Sequence, residues 1–455
     1  MTFCFGTDQS PKAFESWAKK RGIFLHADVA FLVPTKTMGS GVFARRSLPK
    51  GTVIVSCPFS SSISPYAEPS CVDAPCVEAL NQAHITDNVL YVVLRLMAEA
   101  VRGSSPWLPW LRACPRMLNH FFDNELLGNI FNATACEAVG TVSTRWTGVS
   151  QQVLEMRVSE RWKIARRVIE QHPEHWPESS ASFSFFCECL SFVLSRNFHR
   201  EDVGNREGPY LLPGLDMVNH SFEANAKLEV RGGGRKHVLS FCLVASSDLR
   251  KGEQVLFSYG RIGGARFVVE FQFITEPVVK EDMLRFSVDV LVEIVAAIIV
   301  LSGQRDSVEA VEGALRWRVE RLQRLGFLFD EGLYVPALPQ SSSDTTGDAT
   351  LPLSATKEVN RLFNVIYLLS VEEKTFDDLT HKINREWEVQ RTDSLLTMVS
   401  TVIAMRAGAA RDQLAIAQER LSGCEHNVRR KLLEMVLGSE LRMLDALNEY
   451  VKRLT

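Results

Sequence analysis

The chain has 455 residues, a hydrophobic fraction of 46% and a charged fraction of 23%. Because one hydrophobic core rarely extends beyond about 250–300 residues, two or three domains are expected. Lysine and arginine number 51 against 54 aspartates and glutamates, so the net charge is only −3. This balance argues against direct nucleic-acid binding, since sequence-independent affinity depends on neutralising phosphates.

The cysteines and the apolar segments favour a reducing, aqueous compartment. Ten cysteines are scattered without any Cys-x-x-Cys pair, so buried free thiols are expected rather than disulfides or a zinc site. The N-terminus lacks a secretory pattern. Residues 290–301 are apolar but shorter than the roughly 20 residues that a bilayer span needs. The sequence predicts a soluble intracellular protein, cytoplasmic or nuclear, with neither membrane association nor a metal site.

The first 60 residues predict one helix followed by short strands. Residues 12–22 place Phe14, Trp17 and Ala18 on one helical face. Short β-branched runs separated by turns occupy residues 30–60.

A block of helical periodicity follows. Apolar residues recur at helical spacing over 89–100, and helical patterns return at 124–139, 149–170 and 180–197. Residues 107–115 form an aromatic connector punctuated by prolines.

Strand patterns return after Pro209. Residues 226–230 and 238–245 flank three glycines and predict a hairpin, and residues 254–259 follow a second turn. The three segments predict an antiparallel meander, so a β-rich module is split by the helical block.

Beyond Pro277 the pattern is helical to the end of the chain. Residues 340–350 are rich in Ser, Thr, Asp and Gly and predict a loop. The last helix has apolar residues at steps of three and four, which favours a packed face over a dimerising coiled coil. These residues are Leu441, Leu444, Leu447, Val451 and Leu454.

The most informative polar residues are Asn219 and His220, which interrupt an apolar run between Leu211 and Ser221. Together they offer several hydrogen-bond donors and acceptors, which suits a heteroaromatic ligand such as adenine. An isolated Asn-His pair is more often a turn with a core histidine. Asp216, just before them, could brace this irregular backbone without touching a ligand.

Four further candidates each have an ordinary structural explanation. Tyr259 is a common type of strand residue, but it ends its strand, where functional side chains often lie. Gly39 and Gly41 alone indicate a turn. Arg196 alone indicates a cation at a helix end.

Taken in chain order, the motifs resemble the signature of SET-domain protein methyltransferases. They are most similar to the Rubisco-methyltransferase-like class, which includes an actin-histidine methyltransferase. The matching segments are Met38-Gly39-Ser40-Gly41-Val42-Phe43-Ala44, Trp107 to Pro115, Ser195-Arg196, Asp216 to Ser221, and Gly252-Glu253 before Tyr259-Gly260.

The resemblance implies an α+β fold. A SET-type β fold of small antiparallel sheets with a knotted core is split by a helical insert and followed by an all-α C-terminal domain. The implied segments are 1–75 for the first part of the SET domain, 76–200 for the insert, 201–280 for the second part, and 281–455 for a helical region of the substrate-binding type.

The resemblance also implies S-adenosyl-L-methionine as the cofactor. The residues implied to bind it are Gly39, Ser40, Gly41, Arg196, Asp216, Asn219, His220 and Tyr259. Arg196 would pair with the cofactor's carboxylate, for which a guanidinium fork is suited. Tyr259 would be the catalytic residue, orienting the methyl group and the attacking amine.

Phe271 and Phe273 are implied to form walls of the substrate channel, the alternative being two core aromatics on one strand face. The chain departs from the class at two places. Gly263 and Gly264 stand where Ser-Asn is usual, which is expected to remove hydrogen bonds that stiffen the loop. Gln272 lies between the two phenylalanines, where Tyr-Gly-Phe is usual, so the channel would lack a phenol.

The expected function is methyl transfer from S-adenosylmethionine to a lysine of a non-histone protein by a monomeric enzyme. A histidine acceptor is the alternative within the same class. A non-catalytic, SET-derived interaction scaffold is the alternative from another class, because fold does not fix function.

Overall fold

The computed structural model describes residues 4–8, 10–66, 75–117, 146–200, 206–232, 239–303, 307–338, 353–381, 387–421 and 427–454. The predicted helix at 124–139 and the predicted loop at 340–350 lie outside them. Two compact units are formed. Unit 1 comprises Met1–Phe122 and Arg157–Arg261, and unit 2 comprises Asp123–Met156 and Ile262–Thr455. The four-segment division stays a prediction.

The described residues form both strands and helices. The strands are β1 (Phe24–Leu25), β2 (Val29–Pro34), β3 (Ser40–Ala44), β4 (Val53–Pro58), β5 (Asn197–Phe198), β6 (Tyr210–Leu211), β7 (Asn219–His220), β8 (Ala226–Arg231), β9 (Ser240–Ala245), β10 (Gln254–Phe257), β11 (Met283–Phe286) and β12 (Leu333–Pro336).

The helices are α1 (Pro11–Lys20), α2 (Val77–Gln82), α3 (Asn88–Val101), α4 (Leu108–Ala113), α5 (Gly148–Glu155), α6 (Val158–Gln171), α7 (Phe183–Arg196), α8 (Gly264–Arg266), α9 (Glu276–Lys280), α10 (Val288–Leu301), α11 (Val308–Arg324), α12 (Leu353–Ser370), α13 (Glu373–Thr380), α14 (Asp393–Arg420) and α15 (Asn427–Lys452). Short 3₁₀ turns occur at Phe59–Ser61, Glu178–Ser180 and Leu215–Met217, and a π-helical turn occurs at Phe267–Phe271.

Unit 1 contains an eight-stranded sheet in the order β1-β4-β9-β8-β10-β3-β2, with β7 paired to β10. β5 and β6 form a separate pair. The predicted hairpin is confirmed, because β8 and β9 pair antiparallel from Ala226↔Ala245 to Arg231↔Ser240.

The predicted meander is wrong, because β10 does not lie beside β9. It pairs in parallel with β7 and β8 and antiparallel with β3. The turn after β9 pairs instead with the N-terminal segment, through the bridge between Leu48 and Leu249. The Asn225 side chain then fixes β10, donating to Gln254 O and accepting the backbone N–H of Leu256.

The helices of unit 1 follow from apolar periodicity and capping. α1 buries Phe14, Trp17 and Ala18, as the sequence predicts. α3 begins after Asp87, whose carboxylate accepts the N–H of Leu90. α3 is buried on most sides and packs against α7, which ends beside β5.

Unit 2 is mostly helical around its own apolar core, and the predicted C-terminal helical region is confirmed in this respect. Leu444, Leu447 and Val451 of α15 lie in that core, so the last helix uses its apolar face inside the unit. Unit 2 also contains a ribbon of β11 and β12, which the sequence analysis missed. The two strands have four residues each and lie between long helical segments, so their alternation was too short to recognise.

Two further expectations can be compared with the described residues. Cys57, Cys114 and Cys189 are buried free thiols, and Cys187 and Cys189 are both buried in α7, as predicted. None of the described helices combines the length and the apolar character that a bilayer span requires.

Candidate functional site

The Asn-His pair forms β7, a two-residue strand that lies beside β10. The chain enters it through the 3₁₀ turn Leu215–Met217, after Gly214 adopts a φ of +90°. Asn219 and His220 pair in parallel with Leu256 and Phe257 of β10. A short parallel pair at the end of an irregular segment therefore places two polar side chains next to the strand that leads to Tyr259.

Asn219 connects this strand to the glycine-containing segment of β3. Its Nδ2 donates to the backbone carbonyl of Ser40 at 3.1 Å. A Cβ atom on Gly41 would lie 3.0 Å from Asn219 Nδ2 and 2.6 Å from Gln254 Nε2. Gly41 therefore leaves room for the two amide side chains against the backbone of β3. Gly39 has a different role, because its φ of +66° and its open surroundings are those of a turn residue.

His220 and Tyr259 are joined through the backbone. The N–H of Tyr259 donates to His220 Nδ1 at 3.0 Å, so the histidine accepts at that nitrogen. Burial lowers the pKa of His220 to about 4, although a hydrogen bond with the backbone of Phe257 acts in the opposite direction. His220 is 5% exposed and is neutral at physiological pH.

The phenol of Tyr259 is held at its other end. Its hydroxyl donates to the carbonyl of Val218 at 2.7 Å. Burial raises the pKa of Tyr259 to about 12, so the hydroxyl keeps its proton at working pH. The Tyr259 and His220 ring centroids are 5.1 Å apart, so backbone, phenol and imidazole form one rigid group.

Asp216 and Arg196 form a buried pair. Arg196 Nη1 donates to Asp216 Oδ2 at 3.3 Å and to its backbone carbonyl at 2.8 Å. The carboxylate also accepts from Trp110 Nε1 at 3.1 Å, from Cys114 Sγ at 3.6 Å and from the N–H of Gly214 at 3.0 Å. Burial raises the pKa of Asp216, against the opposing effect of Arg196.

This arrangement separates the roles of the two side chains. The carboxylate of Asp216 has no exposed surface and is surrounded by protein donors, so it braces the turn before β7. Arg196 retains a buried Nε without a hydrogen-bond partner among the described residues. Trp110 and Cys114, which the sequence analysis did not assign to the site, complete the environment of Asp216.

Phe271 and Phe273 lie in unit 2. The interpretation as two aromatics on one strand face is wrong, because Phe271 ends a π-helical turn and Gln272 has a φ of +59°. The local apolar alternation of the Phe-x-Phe pattern suggested a strand, but the ring of Phe267 packs with both rings at centroid distances of 5.7 and 5.4 Å. Their role in a substrate channel stays a prediction.

The glycines at 263 and 264 are held by backbone hydrogen bonding. The N–H of Gly264 donates to Asp282 Oδ1 at 2.6 Å. The loop was expected to lose side-chain hydrogen bonds, but Asp282 supplies one from 18 residues further along the chain, a distance that no local sequence pattern indicates. Within the described ranges, no group of three His, Cys, Asp or Glu side chains is arranged to hold a metal ion.

Known proteins resemble this chain in sequence and in fold. Residues 39–260 match the SET domain family. Proteins with a similar sequence include the N-lysine methyltransferase SETD6 of Bos taurus, which is 23% identical over 59% of this chain and 58% of the relative. That of Mus musculus is 22% identical over 71% of this chain and 65% of the relative, so the chain spans less than two thirds of either. The actin-histidine N-methyltransferase of Danio rerio is 26% identical over 41% of this chain and 29% of the relative.

The fold also matches solved structures over nearly the whole chain. The crystal structure of the SET domain of LSMT bound to lysine and AdoHcy aligns with a TM-score of 0.59 at 17% identity, covering 97% of this chain and 91% of that one. The structure of Rubisco LSMT bound to AdoMet aligns with a TM-score of 0.58 at 16% identity, covering 98% and 92%. Residues 39–260 are therefore similar to the SET domain, and the fold of the chain is similar to that of the LSMT structures, as the sequence predicted.

Proposed function

We propose that this protein is an S-adenosylmethionine-dependent protein-lysine N-methyltransferase. The observation that carries the proposal is the attachment of Tyr259 at both ends, by its N–H to His220 and by its hydroxyl to Val218. A tyrosine fixed in this way has its hydroxyl proton directed to Val218, and the lone pairs of its oxygen form a pre-organised acceptor of the kind that orients reacting groups. The names of the SETD6 relatives support the lysine acceptor.

The residues of unit 1 fit the cofactor. Arg196 offers a buried Nε without a partner among the described residues, which suits the carboxylate of an amino-acid moiety. Gly41 lacks a side chain where one would collide with Asn219 and Gln254, so the amide of Asn219 can lie against β3 in the position proposed for cofactor binding. We assign cofactor binding to Gly39, Ser40, Gly41, Arg196, Asn219, His220 and Tyr259, and we assign Asp216 the support of Arg196 and of the turn before β7.

S-adenosylmethionine supplies an activated methyl group on a cationic sulfur, so the protein needs few catalytic side chains. Tyr259 holds its proton and orients the acceptor amine. His220 stays neutral and fixes the backbone of Tyr259 through Nδ1. A lysine acceptor must be neutral, and an apolar channel lowers its pKa by penalising the charged form. Phe271 and Phe273 are our candidates for the walls of that channel.

We further propose a non-histone protein as substrate and a monomeric enzyme. The net charge of −3 offers no electrostatic attraction to nucleic acid. A histidine acceptor is the second candidate, supported by the similarity to the actin-histidine N-methyltransferase of Danio rerio. Hydrolysis of the methylated protein and mass spectrometry of its amino acids distinguish the two acceptors.

Calorimetric titration with S-adenosylmethionine tests the cofactor site. Wild type is expected to bind saturably, and Asn219→Ala is expected to lose at least tenfold in affinity, about 1.4 kcal/mol. Asn88→Ala is the matched control, because its Nδ2 also donates to a backbone carbonyl, that of Gly208, at 3.2 Å. Equal losses in the two variants would refute the assignment of Asn219.

Tyr259→Phe separates the enzyme from a scaffold. The variant lacks only the hydroxyl that donates to Val218, so its fold and cofactor binding are expected to persist. Transfer of labelled methyl groups to lysate proteins is expected to fall at least a hundredfold, within the range of a lost catalytic hydrogen-bonding group. Undiminished transfer would remove Tyr259 from the mechanism. A folded wild type that neither binds the cofactor nor transfers methyl groups would favour the scaffold.

A further inference from the structure

Two glycines, Gly263 and Gly264, follow Tyr259 in the chain. The space that side chains at these positions would need is occupied by Asp282 and Met283. A Cβ atom on Gly264 would lie 2.7 Å from Asp282 Oδ2, and one on Gly263 would lie 3.0 Å from the carbonyl of Met283. Gly263 has a φ of −66° and Gly264 begins a helix, so neither needs the left-handed region. A side chain at 264 would therefore collide with the carboxylate of Asp282, whereas one at 263 would make a tight contact with the backbone.

Asp282 uses its whole carboxylate to connect three elements. Its Oδ1 accepts the N–H of Gly264 at 2.6 Å and that of Met283 at 2.8 Å. Its Oδ2 accepts the Ser439 hydroxyl of α15 at 2.6 Å. Asp282 is 3% exposed, and no lysine or arginine of the described chain forms an ion pair with it. Burying a carboxylate without a cation is costly, and these three short hydrogen bonds offset part of that cost while fixing the carboxylate in place.

The hydrogen bond to Gly264 fixes the start of the aromatic segment. The first N–H groups of a helix have no partner within it, and the carboxylate of Asp282 satisfies the first one of α8. The helical chain then continues without interruption to Phe267 and Phe271, whose rings pack with Phe273. A shift of Gly264 would therefore move the start of this helix and the ring cluster that follows.

We propose that Asp282 is a positioning residue for the loop between Tyr259 and Phe271, and that Asp282 and Gly264 are a matched pair. The carboxylate, which immediately precedes β11, supplies the hydrogen bonding that side chains on the loop would otherwise supply. The statement that this loop borders the cofactor rests on the proposed function, whereas the matching of the pair does not.

A double-mutant cycle tests the matched pair. Unfolding midpoints are measured for wild type, Gly264→Ala, Asp282→Ala and the double variant. In wild type the new methyl group collides with the carboxylate, so Gly264→Ala is expected to lower the midpoint by roughly 5 °C or more. In the Asp282→Ala background the same change is expected to cost less than half of that shift. Additive shifts would overturn the pairing.

The control for this cycle is Gly313→Ala. Gly313 lies in α11, where a methyl group would have no neighbouring atom within 4 Å, and alanine favours helices over glycine. Its substitution is expected to raise the midpoint slightly in both backgrounds.

Cofactor affinity tests the positioning role. Calorimetric titration with S-adenosylmethionine is expected to show a roughly tenfold weaker Kd for Asp282→Ala. Asp282→Asn is expected to keep wild-type affinity, because its Oδ1 still accepts from Gly264 and Met283 while its amide donates to Ser439. A purely structural role would lower the midpoint and leave the Kd unchanged, which would overturn the proposal.

Two outcomes separate this proposal from the proposed function. A folded wild type that does not bind S-adenosylmethionine overturns the proposed function, while the unfolding cycle still reports on the matched pair. If Asp282→Ala does not fold, Ser439→Ala takes its place in the titration, because it removes one of the three donors. A two- to threefold weaker Kd is then expected, and an unchanged Kd would overturn the positioning role.

Discussion

Each unit contains a buried arginine–carboxylate pair, and these two pairs differ in how completely their groups are satisfied. In unit 1, Arg196 and Asp216 have side chains that are 11% and 0% exposed. In unit 2, Arg406 and Glu440 have side chains that are 1% and 5% exposed. The two pairs are therefore buried to a similar extent, and they differ in the hydrogen-bond partners of their side chains.

The pair of unit 2 is a closed structural clamp. Arg406 Nε donates to Glu440 Oε1 at 2.8 Å, and its Nη1 donates to the carbonyl of Arg285 in β11. Glu440 Oε2 accepts the N–H of Gly148 at 3.0 Å, at the start of α5. The guanidinium also lies 4.5 Å from the ring centroid of Phe286. The pair thus joins α14, α15, α5 and β11.

In the pair of unit 1, the carboxylate of Asp216 has a full set of hydrogen-bond partners and the guanidinium of Arg196 does not. The carboxylate of Asp216 accepts hydrogen bonds from four residues. The Nε of Arg196, in contrast, has no hydrogen-bond acceptor among the described residues. A buried donor without a partner is costly, and a bound ligand is one way to satisfy it. The comparison shows that the same two types of group stabilise one unit and, under the proposed function, prepare a binding site in the other.

The largest effect is expected from breaking the clamp. Arg406→Leu leaves Glu440 buried without its cation, which is expected to lower the free energy of unfolding by about 3–5 kcal/mol. Denaturant unfolding measures this loss. Arg316→Leu is the control, because its ion pair with Asp289 is about half exposed and is expected to contribute less than about 1 kcal/mol. A similar loss in both variants would contradict the clamp.

The next effect is a pH dependence of unit 1. The folded pKa of His220 is about 4 and lies below its ordinary value of 6.5, so the unfolded chain takes up the proton first. The neutral, buried His220 therefore contributes to the free energy of unfolding above pH 6.5. This contribution, up to about 3 kcal/mol, is lost as the pH falls towards 4.

His220→Gln isolates this contribution, because the raised pKa of Asp216 acts in the opposite direction in both proteins. Denaturant unfolding between pH 7 and 4.5 is expected to give a steeper loss for wild type than for His220→Gln. Parallel pH profiles would show that His220 does not carry the dependence.

The smallest effect is expected from Arg196→Lys, which keeps the charge beside Asp216 but removes the guanidinium fork. The Kd for S-adenosylmethionine is expected to rise roughly tenfold, about 1.4 kcal/mol, while the free energy of unfolding changes by less than about 1 kcal/mol. Calorimetry and denaturant unfolding measure the two quantities. An unchanged Kd together with a lower free energy of unfolding would show that Arg196 has a structural role like that of Arg406. The proposed difference between the two pairs would then be wrong.

The sequence by itself determined the elements with strong local patterns. The apolar periodicities of α1 and α3 and the alternation of β8 and β9 predicted those elements within a few residues. Local periodicity is sufficient there because a helix or hairpin buries a face set by near neighbours in the chain. The resemblance of the motifs from Gly39 to Tyr259 to the SET-domain signature predicted a SET-type fold.

Only the tertiary structure decided which distant segments meet. It placed β10 beside β7 and β8, gave Asp216 the donors of Trp110 and Cys114, and put the carboxylate of Asp282 against Gly264. The side-chain pairings join residues from 18 to 106 positions apart, and no local pattern encodes them. They depend on long-range packing, where each buried polar group must find a partner that the folded chain brings within reach.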